Sequence, residues 1–280
     1  MRTFSEICFT TRGRLVSYTK PVVMGILNIT DDSFYDGGKH NTLETAARHA
    51  EHLLTDGADI IDIGAASSRP GATLPPTITE IERLLPVVKH IRNAHPEAII
   101  SVDTCFSETA RAVIDAGADM INDIGGGQFD TDMFKTVAEL QVPYILMHTT
   151  GTPDVMQNVC NYNDIVGDLC LYFSSRLDKL YSLGVKDVWI DPGFGFGKSV
   201  SQSLELLDRL DELTEIFREP LLAGLSRKSM IYKTLGNTPD QALNGTTVLN
   251  TKALMLGASI LRVHDPKPAK EAINLLYTSS

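Results

Sequence analysis

The chain has 280 residues, 43% of them hydrophobic and 21% charged, an ordinary globular mix that can bury a large core and that excludes disordered and fibrous classes. Its formal net charge of −10, with no long run of Lys and Arg, would repel a phosphate backbone and excludes nucleic acid as a partner. Four scattered cysteines, Cys8, Cys105, Cys160 and Cys170, lack CxxC spacing, and no stretch approaches a membrane span or a signal peptide, so no membrane partner and a reducing, cytoplasmic setting are expected.

Residues 1–20 carry short alternating stretches around Thr11-Arg12-Gly13, read as a hairpin over one mouth of the fold that follows. An apolar run, Val22 to Leu27, then predicts a strand, and a long polar loop from Asn28 to Gly38 leads into a helical pattern over Thr42 to Thr55. From there one unit recurs, a glycine turn followed by a short apolar strand that meets a polar residue. It appears at Gly57 to Asp62, Gly117 to Asn122, Gly184 to Asp191 and Gly257 to Arg262. Each glycine suits the left-handed close of a helix, and each apolar run suits a buried parallel strand.

Between these units lie further strands at Ile99 to Val102, Val142 to Met147 and Pro220 to Leu225, and helical patterns at Ile78 to Asn93, Ser107 to Ala116, Ile165 to Leu183 and Thr246 to Leu256. Strand and helix alternate eight times without a linker or composition break. An open doubly wound sheet alternates in the same way, but eight units in one chain favour closure into an α/β fold of the (β/α)8 TIM barrel type. One domain is expected over 1–280, the hairpin occupying 1–20 and the barrel 21–280.

Barrel enzymes place their chemistry where the strands end. The polar residues met there are Asn28, Asp62, Asp103, Asn122, His148, Asp191, the trio Ser226-Arg227-Lys228, and Arg262 with His264. Singly, each is explained as a turn or cap residue; all eight strands ending so is harder to dismiss. Asp103, Asn122 and Asp191 offer the acceptors and donors that read the edge of a flat nitrogen heterocycle. Ser226 to Ser229 and Arg262 to His264 follow the seventh and eighth strands, where barrels hold phosphate. A cap at Ser226 would turn free N–H groups and two cations towards one point.

Asp191-Pro192-Gly193-Phe194-Gly195-Phe196-Gly197-Lys198-Ser199 fails the Walker A spacing, since Pro192 stands where that motif needs its first glycine. Its glycines would instead let backbone approach a ligand on which Phe194 or Phe196 stacks. The loops at 28–38 and 65–72 read as lids, the second bringing Arg69 and hydroxyls. No HExxH motif or Cys/His cluster offers a zinc site; oxygen ligands such as Asn28, with substrate phosphate, suit Mg2+.

These segments together resemble the dihydropteroate synthases, pterin-binding barrel enzymes of folate biosynthesis. The resemblance runs from residue 24 to 265 through Met24-Gly25-Ile26-Leu27-Asn28, Ser33-Phe34, Asp36-Gly37-Gly38, Ser67 to Ala72, Ser101-Val102-Asp103-Thr104, Ile121-Asn122-Asp123-Ile124, Asp191 to Lys198, Ser226 to Ser229 and Arg262 to Asp265. It implies a transferase that joins 6-hydroxymethyl-7,8-dihydropterin pyrophosphate to p-aminobenzoate with magnesium (Mg2+), is a sulfonamide target, and acts as a homodimer through its late helices.

The resemblance further implies that Asp103, Asn122, Asp191 and Lys228 bind the pterin, and that Asn28 (on the metal), Arg69, Arg262 and His264 handle pyrophosphate and Mg2+. Phe34, Ser68, Phe196 and Ser229, with Asp36 and Met147, would complete the substrate pockets. Asp103, Asp191, Lys228 and Arg262 are the catalytic candidates, whereas Asp62 and His148 are expected to be structural.

Three departures bear on the loops. Asp31 stands where the family often has Pro, and Ala66 where many members have Glu. Thr149 and Thr150 stand where Met-Arg is usual after Met147-His148, so an expected Arg is missing. A pterin-dependent methyltransferase and a non-catalytic pterin-binding paralogue remain the alternative readings, the second motivated by Asp31 and Thr150.

Overall fold

The recurring glycines act as the turns they spell. In the computed structural model of the chain, which describes residues 4–29, 39–66, 71–156 and 159–278, Gly57, Gly117, Gly184 and Gly257 take φ of +96°, +108°, +88° and +102°. Residues with a Cβ avoid that region. Acids just beyond three of these glycines then catch a nearby strand. Asp59 accepts from the Val23 N–H at 2.8 Å, Asp119 from that of Ile100 at 2.8 Å, and Asp187 from that of Thr10 at 3.2 Å.

The elements run β1 (Ile7–Thr11), β2 (Arg14–Tyr18), β3 (Val22–Asn28), α1 (Lys39–Thr55), β4 (Ile60–Gly64), α2 (Thr77–Ala94), β5 (Ile99–Asp103), α3 (Ser107–Asp115), β6 (Met120–Asp123) and α4 (Met133–Leu140). They continue with β7 (Tyr144–Met147), α5 (Ile165–Ser182), β8 (Val188–Asp191), α6 (Val200–Asp208), α7 (Leu210–Ile216), β9 (Leu222–Ala223), α8 (Ser229–Leu235), α9 (Leu243–Met255), β10 (Ile260–Val263) and α10 (Pro266–Leu276). Strands β3 to β10 form one sheet in the order β8-β7-β6-β5-β4-β3-β10-β9, parallel at every pairing. A parallel bridge between Ile190 and Leu221 joins its two ends, which closes the sheet into the (β/α)8 barrel and removes the open-sheet alternative. The run Pro220 to Leu225 contributes only Leu222–Ala223 as strand.

The hairpin of β1 and β2 turns through Arg12 and Gly13, both at positive φ (45° and 70°), the geometry of a tight two-residue turn. Its alternation puts Ile7 and Phe9 into the barrel floor with Val22, Met24, Ile60, Ile99, Met120, Ile145, Trp189, Leu222 and Ile260. The Phe9 ring meets Trp189 edge-on, with centroids 5.5 Å apart.

One fully buried carboxylate fastens this plug. Asp119 accepts from Thr11 Oγ1 at 3.0 Å, Arg12 Nε at 2.8 Å and the Ile100 N–H, and pairs with Arg92. Asp119→Ala would leave these donors, two of them cationic, without their acceptor. Urea unfolding should show a loss of about 3 kcal/mol or more, whereas Glu97→Ala, which breaks only the exposed pair with Arg14, should stay within about 0.5 kcal/mol.

Candidate functional site

Strand parity decides which polar residues share the interior. On β4, Ile61 and Ile63 pack outward beneath the helices while Ile60 joins the floor, so Asp62 and Gly64 also face inward. The same parity places Ser101 and Asp103 above Ile99 on β5, Asn122 above Met120 on β6, and Met147 above Ile145 on β7. It places Asp191 above Trp189 on β8 and Arg262 above Ile260 on β10. An apolar floor therefore carries a polar upper layer.

Asp62 stands in the middle of that layer rather than at a strand end, since β4 runs on to Gly64. Arg262 donates from Nε to Asp62 Oδ2 at 2.7 Å and from Nη2 to Asp103 Oδ2 at 3.0 Å, and Asn122 Nδ2 donates to the same Asp62 oxygen at 3.0 Å. Among the described residues, three buried polar atoms of this layer remain without a partner, Asp62 Oδ1, Asn122 Oδ1 and Ser101 Oγ. Burial pushes the Asp103 carboxyl up to about 7, against the pull of Arg262.

Across the mouth, burial raises the Asp191 carboxyl and pushes the Lys228 ammonium down to about 8, each opposed by the other's charge. Asp191 Oδ1 accepts from the Gly193 N–H at 2.7 Å. The Lys228 ammonium donates to the Phe194 carbonyl and lies 4.6 Å from the Phe196 ring centre. Of the two phenylalanines proposed for stacking, Phe194 is fully buried in the core. Phe196 is half-buried and packs beside Met147 and Cys105.

The loop that carries Phe196 lies tightly on the end of β7. A Cβ at Gly193 would stand 2.0 Å from the His148 carbonyl oxygen, so only glycine fits. Lys198 is buried, its ammonium 2.8 Å from His148 Nδ1, 3.0 Å from the Gly193 carbonyl and 3.1 Å from that of Phe196. Burial, then the charge of Lys198, push the His148 imidazole down to about 2, so it is neutral at neutral pH. Thr150, in the place of the expected Arg, donates to the Met156 carbonyl at 3.2 Å and fills the space against Gly197.

The Ser226-Arg227-Lys228 expectation needs correction. Ser226 does not cap α8, whose N-cap is Lys228; its hydroxyl lies 2.9 Å from His264 Nδ1. Arg227 takes φ +55° and forms two bonds of 2.9 Å to Asp265. That pairing keeps it from converging with Lys228. Asn28 ends β3 and is exposed at the mouth, as is His264 beyond β10, while Ser229 is the half-buried first residue of α8. Phe34, Asp36, Ser68 and Arg69, with the departure at Asp31, lie outside the described residues.

Asp62 and Lys198 are the residues that sequence reasoning undervalued. Counting by two along β4 finds Asp62. Lys198 has no such signal, because its burial arises from a loop folded over another strand.

Residues 24–264 match the family model described as pterin binding enzyme. The chain is 41% identical over 268 residues to dihydropteroate synthase of Streptococcus pyogenes serotype M3, covering 94% of this chain and 97% of that protein. Its structure resembles that of Xanthomonas albilineans dihydropteroate synthase with 4-aminobenzoic acid, with a TM-score of 0.90, 37% identity and 98% of each chain covered. The same organism's synthase in complex with 7,8-dihydropteroate gives a TM-score of 0.85 at 35% identity, covering 97% of this chain and 98% of that one. With this identity over nearly its whole length and this barrel, the chain belongs to the pterin binding enzyme family, among the dihydropteroate synthases.

Proposed function

We propose that the upper layer of the barrel binds 6-hydroxymethyl-7,8-dihydropterin pyrophosphate and condenses it with p-aminobenzoate, giving 7,8-dihydropteroate and pyrophosphate. The observation that carries this assignment of roles is the unpartnered buried acceptors Asp62 Oδ1 and Asn122 Oδ1, above an apolar floor and on the two strands that flank the strand of Asp103. Buried polar atoms without partners are costly, and a flat heterocycle with several N–H donors would supply what they lack.

The bond between the pterin methylene carbon and the pyrophosphate oxygen breaks first, and its electron pair leaves with pyrophosphate. The arylamine nitrogen then captures the electron-poor methylene and releases one proton. Asp103 and Asp191 favour the positive charge that develops on the ring, while Arg262 and Lys228 stand beside them to hold ligand and leaving group in register. Phe196, Ser229 and Met147, with Phe34, Asp36 and Ser68, would enclose p-aminobenzoate; Arg69 and His264 would contact the pyrophosphate.

Among the described residues no cluster of His, Cys, Asp or Glu could cage a metal ion, but a neutral amide oxygen at the mouth, that of Asn28, fits Mg2+ delivered with phosphate and water ligands. Bound there, Mg2+ would lower the negative charge of the departing pyrophosphate. Exposed Leu235, Leu243, Val248 and Met255 on α8 and α9 support a homodimer through these helices. Among the described residues no helix is long and apolar enough to cross a membrane. The four cysteines are free, which supports a cytoplasmic setting.

Incubation of the purified protein with the pterin pyrophosphate, Mg2+ and p-aminobenzoate should yield dihydropteroate, with sulfonamides competing against p-aminobenzoate; substrate binding without product would overturn the assignment. Asp191→Asn should weaken pterin binding by about 10-fold or more in calorimetry, the loss of one charge-assisted hydrogen bond. Lys228→Ala should lower kcat by about 10-fold or more, and wild-type kinetics in both would show the roles to be misassigned. The positive charge that develops on the pterin ring needs an ionised carboxylate beside it, and the Asp103 carboxyl is raised to about 7. Protonation removes that charge as pH falls, so kcat/KM should decline about 10-fold per pH unit below that value. Asp103→Asn should flatten this limb while lowering the plateau.

A further inference from the structure

Lys198 is a buried ammonium that bonds no carboxylate among the described residues. Its three donors meet His148 Nδ1, the Gly193 carbonyl and the Phe196 carbonyl, at 2.8, 3.0 and 3.1 Å. An ammonium has three N–H groups, so the set is complete. Burial holds the group down to about 7, which means that water would be the better environment for its charge. An apolar side chain of similar length would suit this position at least as well for stability alone.

What the three bonds do is geometric. Two of them close the 193–196 turn on itself, and the third ties that turn to the end of β7. On the other side of the same turn the Phe194 carbonyl holds the Lys228 ammonium, and the Phe196 ring lies beneath it at 4.6 Å. The Gly193 backbone N–H in addition holds Asp191. His148 is itself fixed, packed against Tyr172 with ring centroids 4.6 Å apart, while Tyr172 bonds the Met147 carbonyl at 2.8 Å. A rigid strand end thus sets the turn through one side chain, and the turn sets Phe196 and Lys228.

We propose that Lys198, held by His148, is a positioning residue that fixes the Phe196 turn and thereby the arylamine side of the site. The inference rests on the functional reading above, in which Phe196 faces p-aminobenzoate. Because Asp103, Asn122 and Asp191 are anchored on strands, and only Lys228 and one bond to Asp191 depend on the turn, the pterin side should be less sensitive to it.

The test is steady-state kinetics of Lys198→Met and His148→Phe beside the wild type. It is joined to calorimetric titration with 6-hydroxymethyl-7,8-dihydropterin and to thermal unfolding. Small misplacement of a substrate-contacting group costs binding and rate steeply, so KM for p-aminobenzoate should rise about 10-fold in Lys198→Met and about 3-fold in His148→Phe. The dissociation constant of the pterin alcohol should stay within about 2-fold, and the unfolding midpoint should not fall. Unchanged KM overturns the assignment, as does a rise in arylamine KM accompanied by a comparable loss of pterin affinity and a lower midpoint, which is the signature of a merely structural lysine. If Lys198→Met does not fold, His148→Phe decides by the same criteria. A wild type that makes no dihydropteroate overturns the functional reading and this inference with it; a wild type that turns over while both variants match it overturns this inference alone.

Discussion

Closing eight parallel strands into a ring leaves every second side chain pointing into a narrow space with an apolar floor and one polar end. Whatever stands at those positions must either pack or find a polar partner inside the ring. The lower positions pack, around Trp189, Met24 and the plug residue Phe9. The upper ones carry three carboxylates, an amide and a guanidinium, and the whole site follows from how these are neutralised.

Arg262 does most of that neutralising, since it bonds Asp62 and Asp103 at once, while Asn122 adds a second donor to the same Asp62 oxygen. The arrangement leaves Asp191 to Lys228 across the mouth, so each carboxylate side has a cation at hand. Complete internal pairing would have produced an inert core. Buried polar atoms of Asp62, Asn122 and Ser101 stay unpartnered instead, and burial raises the carboxyls of Asp103 and Asp191. A site held in that condition is ready for a ligand that brings donors, which is consistent with the pterin binding enzyme family to which the chain belongs.

Among the described residues, the departures from the family pattern, Ala66, Thr149 and Thr150, fall on loops. Thr150, where Arg is usual, makes its own bond to Met156 and fits against Gly197, so the turn that carries Phe196 is packed without that cation. Nearby, Lys198 supplies a buried positive charge from the chain's own glycine loop. The polar layer on the strands is untouched by that departure, because strand positions are set by the ladder and loop positions by side-chain contacts.

Much of the fold was legible in the sequence because it repeats. A left-handed glycine, an apolar run and a polar residue recur often enough to mark strand and helix alternation, and Asp103, Asn122 and Asp191 could be read from where the runs stop. The hairpin at Arg12-Gly13 was legible for the same local reason. Relations between residues far apart in the chain were not. Asp62 and Arg262 are separated by 200 positions and meet only because the ring closes. Arg227 turns to Asp265 rather than to Lys228, and Lys198 is buried because one loop lies on another strand's end. Sequence by itself determined the elements, their order and the kinds of polar group available, since those depend on local backbone preference and period-two patterning. Only the tertiary structure decided which charges pair and which acceptors remain open, since that depends on register and closure between strands that no local pattern encodes.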